Sequence, residues 1–121
     1  TLKILMAIIL FAVVLTIATS VNAATISADS LAEVKADDGT TPKYMTVATD
    51  ALGNKTYTMT ANYNGENGDL VVTGPATLVI TKGVTVKSVT FSGKVVLQES
   101  ATGTRNETIT KAVNNGELTV K

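Results

Sequence analysis

The fold of most of this chain is decided by residues 70–97, which read LVVTGPATLVITKGVTVKSVTFSGKVVL. Short runs of Val, Ile, Leu and Thr alternate there with pairs that favour tight turns, namely Gly74-Pro75, Lys82-Gly83 and Ser92-Gly93. Apolar and β-branched runs of four to eight residues between such pairs are typical of β-strands. Because several of the runs are continuously apolar, we expect these strands to be covered on both sides.

The same pattern extends outward to residues 43–121. The predicted strands span residues 44–49, 55–61, 70–73, 77–81, 84–91, 94–98, 107–113 and 118–121. Short strands at such regular spacing predict an antiparallel β-sandwich, immunoglobulin-like or similar, as the head domain.

The N-terminal residues differ in character from the head. Every side chain from Ile4 to Leu15 is apolar, and no charge occurs between Lys3 and Asp29. About 20 apolar residues suffice for a helix to cross a hydrocarbon core. We therefore predict a long apolar helix within residues 1–36. It either runs unbroken to Ala36 or breaks near residues 25–27 and restarts, and the sequence is compatible with both.

The predicted fold class is accordingly α+β, with a long apolar N-terminal helix followed by the β-sandwich. Residues 37–42 form the predicted linker, because Gly39 suits a helix C-cap and Pro42 does not continue a helix. The head domain is predicted at residues 43–121.

Composition excludes several functions. Ten basic and ten acidic residues cancel and are scattered, so no nucleic-acid partner is expected. The chain has no His and no Cys, and its serines therefore lack an imidazole base. We expect no enzymatic activity, no cofactor, no metal and no small-molecule substrate.

Two local patterns suggest ligands or modification. The oxygen-rich loop at residues 62–69 suits a hard cation, but its two Asn-Gly turns explain the same residues and are the favoured interpretation. The triplets that begin at Asn54 and Asn106 are N-glycosylation sequons, so both asparagines are candidate sites of a glycoprotein.

An apolar segment that starts almost at the N-terminus and precedes a small cysteine-free β-rich domain resembles the type IV pilins. Pilins of the bacterial type begin with Phe and carry Glu at the fifth position, whereas this chain has Thr1 and Leu5. It is therefore more similar to the archaeal type. The start at Thr1 without Met also suggests removal of a leader upstream, as in that family.

This resemblance implies a structural subunit that polymerises into an extracellular, cell-surface pilus. Its partners would be identical subunits, after a stage in which the membrane holds the apolar segment, and adhesion is the implied role. The predicted polymerisation core consists of eight large apolar side chains of that segment and one alanine: Leu2, Ile4, Leu5, Ile8, Ile9, Phe11, Ala12, Val13 and Leu15.

An alternative interpretation keeps the head and changes the role of the apolar segment. Lys3, the apolar run and the small residue Ala23 also fit a secretory signal peptide over residues 1–23. The mature protein would then be a secreted or surface β-sandwich binding module beginning at Ala24.

Overall fold

The structure, a computed structural model, describes residues 24–99 and 109–121. Within these ranges strands predominate, as the abundance of Val, Thr and Ile predicts. The elements in chain order are β1 (Thr25–Ser27), α1 (Ala28–Ala32), β2 (Met45–Thr49), β3 (Lys55–Met59), β4 (Asp69–Thr73), β5 (Ala76–Ile80), β6 (Val86–Ser92), β7 (Lys94–Glu99), β8 (Ile109–Asn114) and β9 (Glu117–Val120).

The strands of the described residues form two sheets that the chain visits alternately. One sheet has the order β1-β4-β6-β8 and the other β2-β3-β5-β7-β9. All pairs are parallel except β2 with β3. Each passage from one sheet to the other and back therefore adds one layer, and the architecture is a two-sided parallel β-solenoid.

The register shows how the layers stack. In the five-stranded sheet Tyr57 pairs with Leu78, Leu78 with Leu97, and Leu97 with Val120, so successive layers are 19–23 residues apart in sequence. Tyr57 and Leu78 are buried. Side chains in one register position thus form a column that runs along the solenoid, and the inward columns of the two sheets make the core.

The core lies between the two sheets and beneath α1. Its largest fully buried side chains come from strands of both sheets and from α1: Tyr63, Phe91, Leu31, Met45, Met59, Leu70, Leu78, Ile80, Val72, Val86, Val89 and Val95. At about 25 cal/mol per Å² of buried apolar surface, each of these side chains contributes roughly 1.5–3 kcal/mol before entropy is subtracted. Among the described residues, the buried apolar side chains lie between Ala28 and Val95.

An N-terminal cap closes one end of the core. The Ser27 hydroxyl accepts a hydrogen bond from the Ser30 backbone N–H at 3.1 Å, which starts α1 directly after β1. Ala28, Leu31 and Ala32 turn inward and are buried. Because β1 also pairs with β4, residues 25–32 belong to the solenoid.

A column of glycines lines the corner where the chain passes from the four-stranded to the five-stranded sheet. A Cβ at Gly74 would lie 1.8 Å from the Lys94 carbonyl oxygen, and a Cβ at Gly116 would lie 2.3 Å from the Gly93 carbonyl oxygen. Backbones of adjacent layers approach too closely there for any side chain. These glycines are required by the stacking of layers as well as by the turns.

The eight strands that the sequence predicts in the head are confirmed as β2 to β9, with ends shifted by one or two residues. Residues 107 and 108 of the seventh predicted strand lie outside the described residues. The predicted antiparallel sandwich is wrong, because consecutive strands lie in different sheets and the paired strands are mostly parallel. A short Gly-containing turn is compatible with a hairpin or with a solenoid corner, and only the long-range pairing distinguishes them.

The predicted α+β class with a long N-terminal helix is also wrong for the described part of the chain. Residues 24–36 were expected to continue a long helix or to restart it after a break at 25–27, yet they form the strand β1 and only the five-residue α1. The remainder of that prediction, residues 1–23, lies outside the described residues. Among residues 24–99 and 109–121, no helix has the length and apolar character needed to span a membrane.

Candidate functional site

The outer face of the five-stranded sheet carries a row of hydroxyl groups. Thr56 pairs with Thr77, Thr77 with Val96, and Val96 with Thr119. Adjacent residues of a strand point to opposite faces, so this column faces outward while Tyr57 and Leu78 face the core. The strand spacing of about 4.8 Å sets the distance from one side chain of the column to the next.

A groove of about 440 Å³ lies over this column. Asp50, Asn54 and Lys55 line it near β3, and Lys94 and Glu117 line it near the later layers. The Lys94 ammonium and the Glu117 carboxylate are 3.9 Å apart and mostly exposed, so their attraction is weak. The groove therefore offers threonine hydroxyls and exposed charges to a polar partner.

Asn54, one of the two glycosylation candidates, lies at the edge of this groove. It is exposed and ends the turn between β2 and β3. The Asp50 carboxylate accepts hydrogen bonds from the Asn54 backbone N–H at 2.9 Å, the Leu52 N–H at 2.8 Å and the Asn54 side-chain amide at 3.2 Å. These bonds, the one from the Asn54 backbone first, lower the pKa of Asp50. The turn thus presents the sequon on a well-ordered support.

Polar side chains of the oxygen-rich loop at residues 62–69 accept hydrogen bonds from backbone N–H groups of the loop itself and of Thr85. The Asn62 side-chain oxygen accepts from the Thr85 N–H at 2.8 Å, and the Glu66 carboxylate accepts from the Asn64 N–H at 2.9 Å. The buried Tyr63 hydroxyl accepts from the Asn67 N–H at 3.0 Å. These contacts support the turn interpretation, and no group of three potential metal-ligating side chains occurs in the part of the chain that the structure describes.

A cluster that the sequence did not predict ties the cap to the sheet. The Asp29 carboxylate accepts hydrogen bonds from the Lys55 ammonium at 3.0 Å and from the Tyr57 hydroxyl at 2.8 Å. The Lys55 bond is the largest cause of the lowered pKa of Asp29. Burial, followed by the bond to Asp29, raises the pKa of Tyr57 to about 12. The cluster holds α1 on β3, and its members are too far apart in sequence for any local pattern to indicate it.

The structure brings only part of the predicted site into view. Asn54 lies on the groove, whereas Asn106 and the whole predicted polymerisation core, Leu2 to Leu15, lie outside the described residues. The sequence analysis missed the Thr56–Thr119 column, because adjacent members come from different layers. Its signal would have been the repeat of 19–23 residues between equivalent threonines and valines.

No protein-family model, curated protein or solved structure matches the chain.

Proposed function

We propose that this chain is a structural subunit of an extracellular filament of the type IV pilus kind, in which the apolar N-terminal segment joins subunits and the solenoid forms the outer domain. The single observation that carries the proposal is that the described residues form a β-solenoid with a buried core of their own. Among the described residues, every buried apolar side chain lies between Ala28 and Val95. We assign the apolar side chains of residues 4–15 to contacts with other subunits.

The apolar segment needs a partner because its exposure to water is costly. At about 25 cal/mol per Å², burying its large side chains yields on the order of tens of kcal/mol before the entropy of association is subtracted. The membrane supplies this cover before assembly, and neighbouring subunits supply it in the filament. A structural role also fits a chain that lacks both His and Cys.

The attachment between segment and solenoid is short. The Asp69 N–H donates to the Ala24 carbonyl oxygen at 2.8 Å, and β1 begins at Thr25. A subunit that assembles through residues 1–23 would thus hold its solenoid close to the filament axis. The outward threonines and the exposed Asn54 suit a domain that faces the medium, and adhesion remains the role implied by the resemblance.

The proposal is tested on protein isolated from cell surfaces by N-terminal sequencing, intact mass and negative-stain microscopy. We expect Thr1 at the terminus and thin filaments in the same fraction. Val13→Asp should abolish the filaments, because it places a charge in the apolar N-terminal segment that joins subunits. The matched control is Leu52→Asp, at a solenoid side chain that is 86% exposed, and it should leave the filaments intact. Filaments from Val13→Asp at the wild-type level would refute the proposal.

A second candidate is a secreted binding module whose signal peptide ends at Ala23. The observation that favours it is the start of β1 at Thr25, because cleavage after Ala23 would leave the solenoid whole. The groove over the Thr56–Thr119 column would then be the binding surface. A mature terminus at Ala24 and the absence of filaments would establish this candidate over the first.

A further inference from the structure

The sequon asparagine Asn54 is itself part of the lining of the groove over the Thr56–Thr119 column. Its side chain is exposed, and it lies two residues before Thr56, which is both the hydroxyl residue of the same sequon and a member of the column. Asn54 and Thr56 both line the groove. A sugar attached to the Asn54 amide nitrogen would therefore start inside the groove.

The groove lies at the glycine-corner edge of the five-stranded sheet, where β3, β5, β7 and β9 begin. The described residues next to the ranges 1–23 and 100–108 lie at the other edge. Glu99 ends β7 there, beside the last residue of β5. Strands β1 and β8 run towards the glycine corner, so their first residues, Thr25 and Ile109, are also at that other edge. The groove is thus lined by described residues, away from where both other ranges join them.

The lining of the groove suits an uncharged polar ligand. Its charged side chains are Asp50, Lys55, Lys94 and Glu117, and their charges sum to zero. The threonine hydroxyls of the column both donate and accept hydrogen bonds, as the hydroxyls of a sugar do. The groove therefore matches the chemistry of an oligosaccharide better than that of a charged polymer.

The size and lining of the groove favour an attached glycan over a free one. The volume of about 440 Å³ falls within the roughly 300–1,000 Å³ of small-ligand sites. None of the described residues that line it is aromatic, so a free oligosaccharide would lack the large contact area of an aromatic ring. A short covalent tether offsets weak binding, because it holds the ligand at an effective concentration on the order of millimolar.

We propose that Asn54 carries an N-linked glycan whose first sugars lie in this groove, along the Thr56–Thr119 column, and join the layers that the column crosses. In the attachment, the Asn54 Nδ2 forms a bond to the anomeric carbon of a diphosphate-linked oligosaccharide donor, the bond from that carbon to the diphosphate oxygen breaks, and one amide proton is lost. The second amide proton remains for the Asp50 carboxylate, 3.2 Å from this nitrogen. Such a glycan requires an exported chain, as the proposed filament subunit is, and would occupy the groove that the second candidate function assigns to a ligand.

The test uses the full-length chain with Asn106→Gln, which leaves Asn54 as its one sequon. The protein is prepared from cells that export and glycosylate it and from cells that lack N-glycosylation, and intact mass establishes each state. We expect the glycan to raise the melting temperature by about 4–8 °C, the shift that about one net hydrogen bond gives in a domain of this size.

Thr77→Val should lose most of this shift, because it removes a hydroxyl from the groove and keeps a good strand former. The matched control is Thr58→Val, on the same outer face but outside the groove lining, and it should keep the shift. A second measurement needs no substitution in the groove. Nuclear Overhauser effects between sugar protons and the methyl groups of Thr77 and Val96 should be present in the glycosylated protein.

Three results would overturn the proposal. They are an intact mass without a glycan on Asn54, a glycan-dependent shift of equal size in Thr77→Val and Thr58→Val, and the absence of the sugar-to-methyl Overhauser effects. The second result would indicate that the glycan acts on stability without binding the groove, and the third that it projects into solvent. None of these results bears on filament assembly, which Val13→Asp tests.

Discussion

Replacing Gly74 by Ala tests whether the close approach of layers at the glycine corner stabilises the solenoid. The added Cβ would lie 1.8 Å from the carbonyl oxygen and 2.4 Å from the carbonyl carbon of Lys94. Real Cβ contacts do not fall below 3.0 Å, so the two layers must separate by more than 1 Å at this corner. The Gly74 N–H donates to the Ser92 carbonyl oxygen at 2.7 Å across the same interface, and that bond would be broken or strained.

The expected cost follows from these two effects. Overpacking a closely packed site costs about 1–3 kcal/mol or more, and a lost hydrogen bond adds about 1 kcal/mol. We therefore expect Gly74→Ala to lower the free energy of unfolding by roughly 3 kcal/mol or more. In a domain of this size, 1 kcal/mol corresponds to about 4–8 °C in the melting temperature, so the expected drop is at least about 12 °C.

Thermal unfolding followed by far-UV circular dichroism measures this drop. The matched control is Gly83→Ala, because Gly83 has a φ of +85° and no atom within 4 Å of the added Cβ. It should cost only the backbone strain of about 1–2 kcal/mol. If the melting temperature of Gly74→Ala is no lower than that of Gly83→Ala, close layer contact at this corner does not determine stability and our explanation of the glycine column fails.

Three further predictions concern the cap, the core and the sequon. Asp29→Asn should make the melting temperature fall less steeply in acid, because the lowered pKa of Asp29 stabilises the fold above its unfolded pKa of about 3.9 and this contribution is lost as pH falls through the folded pKa. The contribution is about 1 kcal/mol at most for this half-exposed pair. Melting temperatures between pH 2 and pH 6 (about the range where the carboxyl titrates) measure it, and parallel wild-type and variant curves would contradict it. Phe91→Ala should lower the free energy of unfolding by about 3–5 kcal/mol, because the ring is fully buried, whereas Leu52→Ala should change it by less than about 0.5 kcal/mol. Urea unfolding compares the two variants, and equal midpoints would contradict the prediction. Asn54→Gln should remove one glycan and so lower the intact mass of the surface-isolated protein; a mass changed only by the added methylene group would show that the sequon is not used.

Local sequence signals were sufficient to predict where most strands lie. Each of β4, β5, β6 and β7 is a run of β-branched and apolar residues between turn-forming pairs, and both features act within a few residues of the chain. In the run at residues 84–91 the apolar side chains change from even to odd positions along the strand. The structure shows the same change, because Val86 is buried and is followed by buried Val89 and Phe91. Strand positions are therefore properties of short segments.

Pairing direction could not be predicted in the same way. Gly74-Pro75 and Ser92-Gly93 are turns that suit a hairpin, yet each joins strands of different sheets. The hydrogen-bonded partner of β5 is β7, at an offset of 19 residues, as in the pair Leu78 and Leu97. A local pattern contains no information on whether the next strand is a hydrogen-bonded neighbour or lies across the core.

The candidate site depended even more on long-range contacts. Asp29 and Lys55 form an ion pair across 26 residues of sequence, and Thr56 and Thr119 of the outward column come from different layers. Only the sequon at Asn54 and its turn could be predicted from the sequence, because they are local: the Asp50 carboxylate and the Asn54 amide interact within one turn. The other features arise when separate layers come into register.

The sequence by itself determined that this chain has an apolar N-terminal segment and a β-rich domain without the side chains of common catalytic triads, because composition and short-range propensity suffice for both. Tertiary structure alone decided that most paired strands are parallel and stack in layers, and that residues 25–32 belong to the solenoid. The physical reason is that backbone pairing and burial join residues about 20 or more positions apart, where the free energy of contact depends on the whole fold and not on any one segment.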